Sequence, residues 1–105
     1  MLKPFCLIFV TALAAGSYSA QAADPAAGKT KYASSCAQCH GPTGKGMASF
    51  PSLAGRDMDY IAKRLKQYRA GEKVGSNSAL MMPNAANLSD AEIANLATYI
   101  SQNFN

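Results

Sequence analysis

The run Cys36-Ala37-Gln38-Cys39-His40 constrains this chain more than any other segment of its sequence. The chain has three cysteines and one histidine in all, and the remaining cysteine, Cys6, lies in an apolar N-terminal stretch. A closed zinc site needs four protein ligands, so these residues cannot form one within the chain. A thioredoxin-like pair would lie beside a βαβ unit, and no segment here alternates as a strand does. A simple disulfide would leave His40 without a role.

The first 22 residues have the pattern of a secretory signal peptide. Lys3 precedes an apolar run from Phe5 to Ala15, and Ala20-Gln21-Ala22 supplies the small residues of a cleavage site. The run is short for a bilayer span, so a retained membrane anchor is the less favoured alternative. We therefore predict a signal peptide over residues 1–22 and a soluble periplasmic domain over residues 23–105, with no transmembrane anchor after cleavage.

Residues 23–105 contain few large apolar side chains. Of these 83 residues, 36 are hydrophobic, and 15 of the 36 are alanine. Burial alone rarely offsets the conformational entropy of so short a chain, which commonly needs a disulfide, a metal or a cofactor. Only Cys36 and Cys39 remain after cleavage, which excludes a disulfide framework and favours a bound cofactor.

The hydrophobic pattern predicts an all-α domain of three main helices joined by long loops. Their starts have capping residues, and their ends have residues that interrupt a helix. The predicted helices run from Asp24-Pro25 to about Cys39, from Asp57 to Gly71, and from the Ser89/Glu92 capping box through Phe104. The segment between the last two, Glu72–Asn87, has no sustained period and is predicted to be a loop.

The complete pentapeptide is the attachment signature of c-type haem. Two thiols on one helical turn can add to the two vinyl groups along one porphyrin edge, and the adjacent histidine can reach the iron. We predict one haem c, held covalently through thioether bonds to Cys36 and Cys39, with His40 as the proximal iron ligand. The haem itself then supplies the core that the chain lacks.

The distal iron position needs another ligand or stays open to water or gas. The single histidine excludes bis-histidine ligation. Met58 lies on the apolar face of the second helix and is predicted to pack in the core, while Met47 is close to His40 in sequence. Met81 and Met82 lie about forty residues beyond His40, in the predicted loop, and fit a ligand that reaches the opposite haem face. These residues by themselves leave the choice between the two open.

The order of several shorter motifs around the pentapeptide resembles the class I cytochromes c, specifically the short bacterial kind, some of whose relatives carry the module twice. The likeness covers nearly all of residues 23–105. It rests on Gly28 and Tyr32, Phe50-Pro51-Ser52-Leu53-Ala54-Gly55, Tyr60, Arg69-Ala70-Gly71, Met81-Met82, Leu88-Ser89-Asp90 and Leu96-Ala97-Thr98-Tyr99-Ile100.

The resemblance implies a class I fold in which the first and last helices cross. Gly28 would let their backbones approach, and Tyr32 would pack near Leu96 and Tyr99. It also implies that the carbonyl of Pro51 accepts the Nδ1 proton of His40. For the distal ligand it implies Met81, with Met82 packed as core.

A haem iron with two protein ligands has no free position for a substrate, so electron transfer is the expected function and enzymatic catalysis is not. We predict a periplasmic carrier of one electron between redox partner proteins. The alternative is a haem c subunit of a larger dehydrogenase or oxidase complex. An iron with an open distal position would instead indicate gas binding or peroxidatic chemistry.

Positive charge is concentrated in and just after the second predicted helix. Residues 23–105 carry a net charge of +3, and five of their nine basic residues form the cluster Lys63, Arg64, Lys66, Arg69 and Lys73. Such a cluster is a solvated helix face or steers an acidic redox partner. The absence of a nucleic-acid-binding motif argues against nucleic acid. Arg56 and Arg69 are candidate partners of the haem propionates.

Overall fold

The computed structural model describes residues 23–105, which form five helices. They are α1 (Pro25–Ser35), α2 (Ala37–His40), α3 (Met58–Arg69), α4 (Ser78–Ala85) and α5 (Asp90–Asn103). Across the described range the β structure is limited to an isolated bridge between Met47 and Phe50. The predicted all-α class with three main helices is therefore confirmed, the three being α1, α3 and α5. The predicted signal peptide lies outside the described residues, and none of the described helices is long and apolar enough to cross a bilayer.

The three main helices begin at the predicted capping residues. Asp24, Asp57 and Ser89 each accept a hydrogen bond from a backbone N–H in the first turn that follows. At α5, the carboxylate of Glu92 also accepts from the Ser89 N–H at 3.1 Å, which completes the capping box. These starts depend on residues two or three positions apart, so the local sequence is enough to specify them.

The first predicted helix is interrupted at Cys36. That residue has φ −115° and ψ −38°, which ends α1 at Ser35, and the remaining residues up to His40 form the separate short helix α2. Gly41, at φ +84°, then ends α2 with a backbone conformation that favours glycine. The prediction of one continuous helix to Cys39 was wrong, because α1 ends before Cys36 and the attachment segment forms a separate helix.

The predicted loop over residues 72–87 contains helix α4, and this part of the prediction was wrong. The inward face of α4 consists of Ser78, Met81 and Ala85, at spacings of three and four. Serine and alanine add little to a hydrophobic pattern, so the helical period is hidden in the sequence. Pro83 lies within α4 and removes one backbone N–H, so the helix is short.

Helices α1 and α5 cross in close contact at Gly28. A Cβ atom at this position would overlap the backbone carbonyl of Asn95, so only glycine allows the approach. One turn further on, Tyr32 is 2% exposed and its ring lies 5.7 Å from that of Tyr99 and 4.9 Å from that of Phe104, measured between centroids. The crossing implied by the family resemblance is confirmed.

The buried core lies mainly along α5. Its members are the ten apolar residues Tyr32, Ile61, Leu65, Ala85, Leu88, Ile93, Leu96, Ala97, Ile100 and Phe104. Four of these are on α5, whereas α1, α3 and α4 together add only four, so the core is small, as the composition predicted. Tyr60 and Tyr68 of α3 and Leu80 and Met81 of α4 line a cavity.

Candidate cofactor site

A cavity of about 380 Å³ lies between the attachment segment, α3 and α4. It continues into a smaller pocket of about 90 Å³ that shares several lining residues with it. The larger volume falls within the range of about 300–1,000 Å³ that is usual for ligand clefts. Four predicted site residues line the larger cavity together: Cys36, Cys39, His40 and Met81.

The two cysteines are free thiols, and both are partly buried. The N–H groups of Cys39 and His40 donate to the carbonyl of Cys36 at 3.3 and 3.0 Å, so a single turn presents both thiols to the cavity. Burial raises the pKa of Cys36 to about 11, against the opposing effect of Lys31. This direction is opposite to the lowered pKa that activates the cysteine of a disulfide oxidoreductase.

His40 is buried, with its ring held by one hydrogen bond. Its Nδ1–H donates to the carbonyl of Pro51 at 2.9 Å, as the resemblance implied. A carbonyl can only accept, so the neutral ring carries its proton on Nδ1 and leaves the lone pair of Nε2 free for a metal. The turn that brings Pro51 back toward α2 contains Gly46, whose φ of +81° and close approach to the Phe50 carbonyl leave no room for a Cβ.

Met81 is the methionine that faces the cavity. Of the four methionines in residues 23–105, it alone lines both the main cavity and the smaller pocket, and it packs against the core. Met82 is half-buried and is not among the side chains packed on the core, contrary to the implied role. Met47 is 49% exposed.

Met58 does not pack in the core, and that prediction was wrong. Its side chain is 48% exposed, and its Sδ accepts a hydrogen bond from the Thr98 hydroxyl at 3.4 Å. Met58 is the first residue of α3, where the apolar face of the helix extends beyond the buried core. Periodicity assigns a residue to a face but does not tell where along that face burial stops.

A cationic rim, formed by Arg56, Tyr60 and Arg64, lies at the smaller pocket. The guanidinium carbons of Arg56 and Arg64 lie 4.7 and 5.3 Å from the centroid of the Tyr60 ring. Hydrogen bonding to Arg64 lowers the pKa of the Tyr60 phenol, and the charge of Arg56 adds to this. Arg64 was assigned only to the basic cluster by sequence, because its position beside the pocket depends on how α3 is oriented.

Arg69 is directed away from the cavity, so its candidacy as a propionate partner is not supported. Its guanidinium pairs with the carboxylate of Asp90 at 2.8 Å and donates to the carbonyl of Leu88 at 3.1 Å. These contacts attach the end of α3 to the start of α5. Of the two arginines predicted as propionate partners, only Arg56 lines the pocket.

This donor set suits one kind of ligand. Within residues 23–105 no group of three or more His, Cys, Asp or Glu side chains could hold a metal ion by itself. Two partly buried thiols, one imidazole with a free Nε2, one thioether and an apolar wall fit a flat, apolar metal chelate, and the cationic rim fits carboxylates at its edge. The fold and the site together define a small c-type haem protein.

Comparison with known sequences gives the same class, and the chain belongs to the cytochrome c family, whose sequence model, described as Cytochrome c, matches residues 25–104. It is 44% identical over 81 residues to cytochrome c-554(548) of Halomonas halodenitrificans, which covers 76% of this chain and 96% of the relative. It is 42% identical over 88 residues to cytochrome c-554(547) of Halothiobacillus neapolitanus, covering 76% and 97%.

Solved structures of similar fold include two cytochromes c4. That of Acidithiobacillus ferrooxidans has a TM-score of 0.65 and 30% identity over 81% of this chain, and that of Pseudomonas stutzeri has 0.64 and 33% over 79%. The chain spans about half the length of these structures, 52% and 50%. As a member of the family, the protein carries covalently attached haem c and transfers electrons, and it is not an enzyme.

Proposed function

We propose that this protein is a periplasmic carrier of single electrons in which Cys36 and Cys39 hold the haem and His40 and Met81 ligate its iron. The observation that supports this assignment is that the four side chains line one cavity. When bound, haem supplies reversible one-electron chemistry at its iron. The protein contributes attachment, ligation and exclusion of water.

Each of these residues has a distinct task in the proposal. The thiols keep the cofactor on a chain whose own core is small. The hydrogen bond from His40 to Pro51 orients the imidazole and raises its basicity as a ligand. The thioether of Met81 favours the ferrous state and so raises the reduction potential relative to a second histidine.

The cationic rim is proposed to hold the haem carboxylates. Arg56 and Arg64 both line the smaller pocket, and Tyr60 lies between them. Charge-assisted hydrogen bonds from guanidinium to carboxylate are about twice as strong as neutral ones. Exchange of Arg64 for Gln is expected to lower the reduction potential, because a positive charge near the haem favours the ferrous form. Exchange of Arg69, which pairs with Asp90, is the matched control.

The distal ligand is tested by a pair of substitutions. Ferric haem with a methionine ligand has a charge-transfer band near the red end of the visible spectrum. Met81→Leu is expected to abolish this band and to open the iron to carbon monoxide in the ferrous state, whereas Met82→Leu is expected to retain the band. Loss of the band in Met82→Leu alone would assign the ligand to Met82. If both variants keep the charge-transfer band, neither Met81 nor Met82 is the iron ligand.

An acidic redox partner is proposed for the exposed lysines Lys63, Lys66 and Lys73. Arg69 is paired with Asp90, and Arg64 contacts Tyr60 and Gln67, so these lysines are the part of the basic cluster that faces solvent. Oxidation of the ferrous protein by anionic hexacyanoferrate(III) should slow with salt and in Lys63→Gln/Lys66→Gln. Lys29→Gln, on α1, is the control. If Lys29→Gln slows the oxidation as much as Lys63→Gln/Lys66→Gln does, the lysine cluster is only a solvated helix face.

Export to the periplasm is proposed from the signal pattern of residues 1–22. The mature protein is expected to begin at Ala23, and N-terminal sequencing of haem-containing protein from a periplasmic extract tests this. A chain that keeps residues 1–22 and sediments with membranes would contradict both cleavage and the absence of an anchor.

A role as a haem subunit of a larger complex is the second candidate. One relative, 41% identical over 67 residues, is named thiosulfate dehydrogenase electron acceptor, and this chain covers 31% of its length. That name supports a dehydrogenase as electron donor. Size-exclusion chromatography of native extract separates the two functions, because a free carrier elutes alone and a subunit elutes with its enzyme.

A further inference from the structure

Helix α4, which carries Met81, is weakly supported by its own hydrogen bonds. It has eight residues, Pro83 removes one donor, and its N-cap residue Asn77 makes no side-chain capping bond. Among the described helices, α3 is the one against which α4 packs extensively. The position of Met81 must therefore depend on the anchoring of the two ends of α4.

The C-terminal end of α4 is anchored by burial. Ala85 is 0% exposed and belongs to the core, and the next core residue, Leu88, follows three residues after it. No comparable apolar residue anchors the other end, where Leu80 is 56% exposed. The N-terminal end needs another attachment.

Ser78, the first residue of α4, is buried and joins that end to the loop that precedes it. It is 4% exposed, and its hydroxyl oxygen accepts hydrogen bonds from the N–H groups of Val74 and Gly75 at 2.9 and 2.8 Å. The Ser78 N–H donates to the carbonyl of Gly75 at 3.2 Å. These three bonds close the segment 74–78 into a compact loop at the cavity wall.

Ser78 and Met81 lie on the same face of α4. They are three residues apart, which places them one above the other on a helix, and both line the cavity. A movement at Ser78 that rotates or frays the first turn of α4 would therefore displace the Met81 side chain from the cavity.

We propose that Ser78 is a positioning residue for Met81: its hydroxyl anchors the start of α4 so that the thioether is held toward the iron. This inference rests on the proposed role of Met81 as distal ligand. Without the hydroxyl, the N–H groups of the half-buried Val74 and the exposed Gly75 lose their acceptor, the first turn of α4 loosens, and Met81 leaves the iron more often.

The test uses cyanide, which binds ferric haem at the distal position only when the thioether has left. Ser78→Ala is expected to raise the rate of cyanide binding by about tenfold to a hundredfold, the range for two hydrogen bonds of ordinary strength. The charge-transfer band should weaken in parallel. Ser76→Ala is the matched control, since Ser76 is exposed in the same loop.

A second pair of variants separates the hydroxyl from the shape of the side chain. Threonine and valine have nearly the same shape, so Ser78→Thr is expected to bind cyanide close to the wild-type rate and Ser78→Val at the raised rate. This pair also decides the question if Ser78→Ala does not fold. Equal rates in Ser78→Thr and Ser78→Val, or a wild-type rate in Ser78→Ala, would overturn the proposal.

The outcome is distinguishable from failure of the proposed function. If Met81→Leu abolishes the band while the Ser78 variants behave as wild type, the ligand assignment stands and the role of Ser78 falls. If Met82→Leu alone abolishes the band, the ligand assignment falls and so does positioning of Met81. A general loss of stability would lower the thermal midpoint without raising the cyanide rate well below that midpoint, and this too would count against positioning.

Discussion

The α1–α5 crossing and the α3–α4 wall of the cavity are held together in different ways. At the crossing, protein packs on protein: Gly28 admits the backbone of α5, and Tyr32 fills the space beside Tyr99 and Phe104. At the wall, apolar side chains of both helices border a cavity of about 380 Å³. The crossing is closed by protein alone, whereas the wall packs on the core through Ile61, Leu65 and Ala85 and borders the candidate haem site on its other side.

Within one small domain, the crossing therefore contributes mainly to stability, and the cavity wall contributes mainly to the candidate site. At the crossing, the buried hydroxyl of Tyr32 is paired within the protein, because it donates a hydrogen bond to the carbonyl of Gly41 at 2.6 Å. The candidate site carries Met81, Arg56 and Arg64, which line the smaller pocket.

The largest effect is expected from loss of the covalent haem. In Cys36→Ala/Cys39→Ala the wall has no packing partner on the side of the haem site, and a core of ten apolar residues is too small to hold the fold. Far-ultraviolet circular dichroism should show a large loss of helix and no cooperative thermal transition. Gln38→Ala, between the two cysteines, is the control and should mature normally. A well-folded double variant would show that the crossing alone sustains the domain.

Gly28→Ala is expected to have the next largest effect. The added methyl group overlaps the Asn95 carbonyl, and relief of the overlap separates α1 from α5 at a cost of about 1–3 kcal/mol in the free energy of unfolding. Guanidinium unfolding of the haem-containing protein measures it. Gly75→Ala is the matched control, because no atom lies within 4 Å of the corresponding Cβ position. If Gly28→Ala and Gly75→Ala are equally stable, the crossing tolerates a wider separation of α1 from α5.

Tyr32→Phe should lower stability by about 1–2 kcal/mol, because the buried carbonyl of Gly41 loses its donor. Tyr99→Phe is the control, since the Tyr99 hydroxyl makes no hydrogen bond within residues 23–105. Chemical unfolding at neutral pH compares the two. A larger loss of stability in Tyr99→Phe than in Tyr32→Phe would contradict the view that the hydrogen bond of the Tyr32 hydroxyl stabilises the crossing.

The same variant predicts a dependence on alkaline pH. Burial raises the pKa of Tyr32 to about 12, above the usual value of 10.0, so the unfolded chain loses this proton first. The stabilisation is complete below pH 10.0 and is lost as the pH rises toward about 12. The stability difference between wild type and Tyr32→Phe should therefore shrink across this interval. A difference that stays constant would argue against a buried, protonated Tyr32.

The smallest effect is expected at the rim of the crossing, from Glu92→Gln. Hydrogen bonding from the Ser89 backbone, together with Lys31 at 3.2 Å, holds the pKa of Glu92 below its usual 4.5. A lowered pKa stabilises the fold above that pH, and the contribution disappears as the pH falls through the folded-state value. Wild type should exceed the variant slightly at neutral pH and low salt, and match it in acid or high salt. Equal stabilities of wild type and variant at neutral pH and low salt would contradict a contribution from Glu92.

Prediction from sequence succeeded where a structure depends on near neighbours. Asp24, Asp57 and Ser89 start helices because each accepts from a backbone group two or three residues away. It failed at α4, where helix formation depends on burial of Ser78 and Ala85 against the rest of the fold. Periodicity also placed Met58 on the correct face and at the wrong depth.

The sequence by itself determined the class of protein: the pentapeptide at 36–40, the shortage of large apolar residues and the capping signals require an all-α domain around a covalent haem. Only the tertiary structure decided which side chains meet. Met81 faces the cavity and Met82 does not, and Arg64 rather than Arg69 lies at its rim. The physical reason is distance along the chain. Helix caps are settled within three residues, whereas the orientation of α3 depends on packing against α5, and that of α4 depends on packing against α3 and on the buried hydroxyl of Ser78.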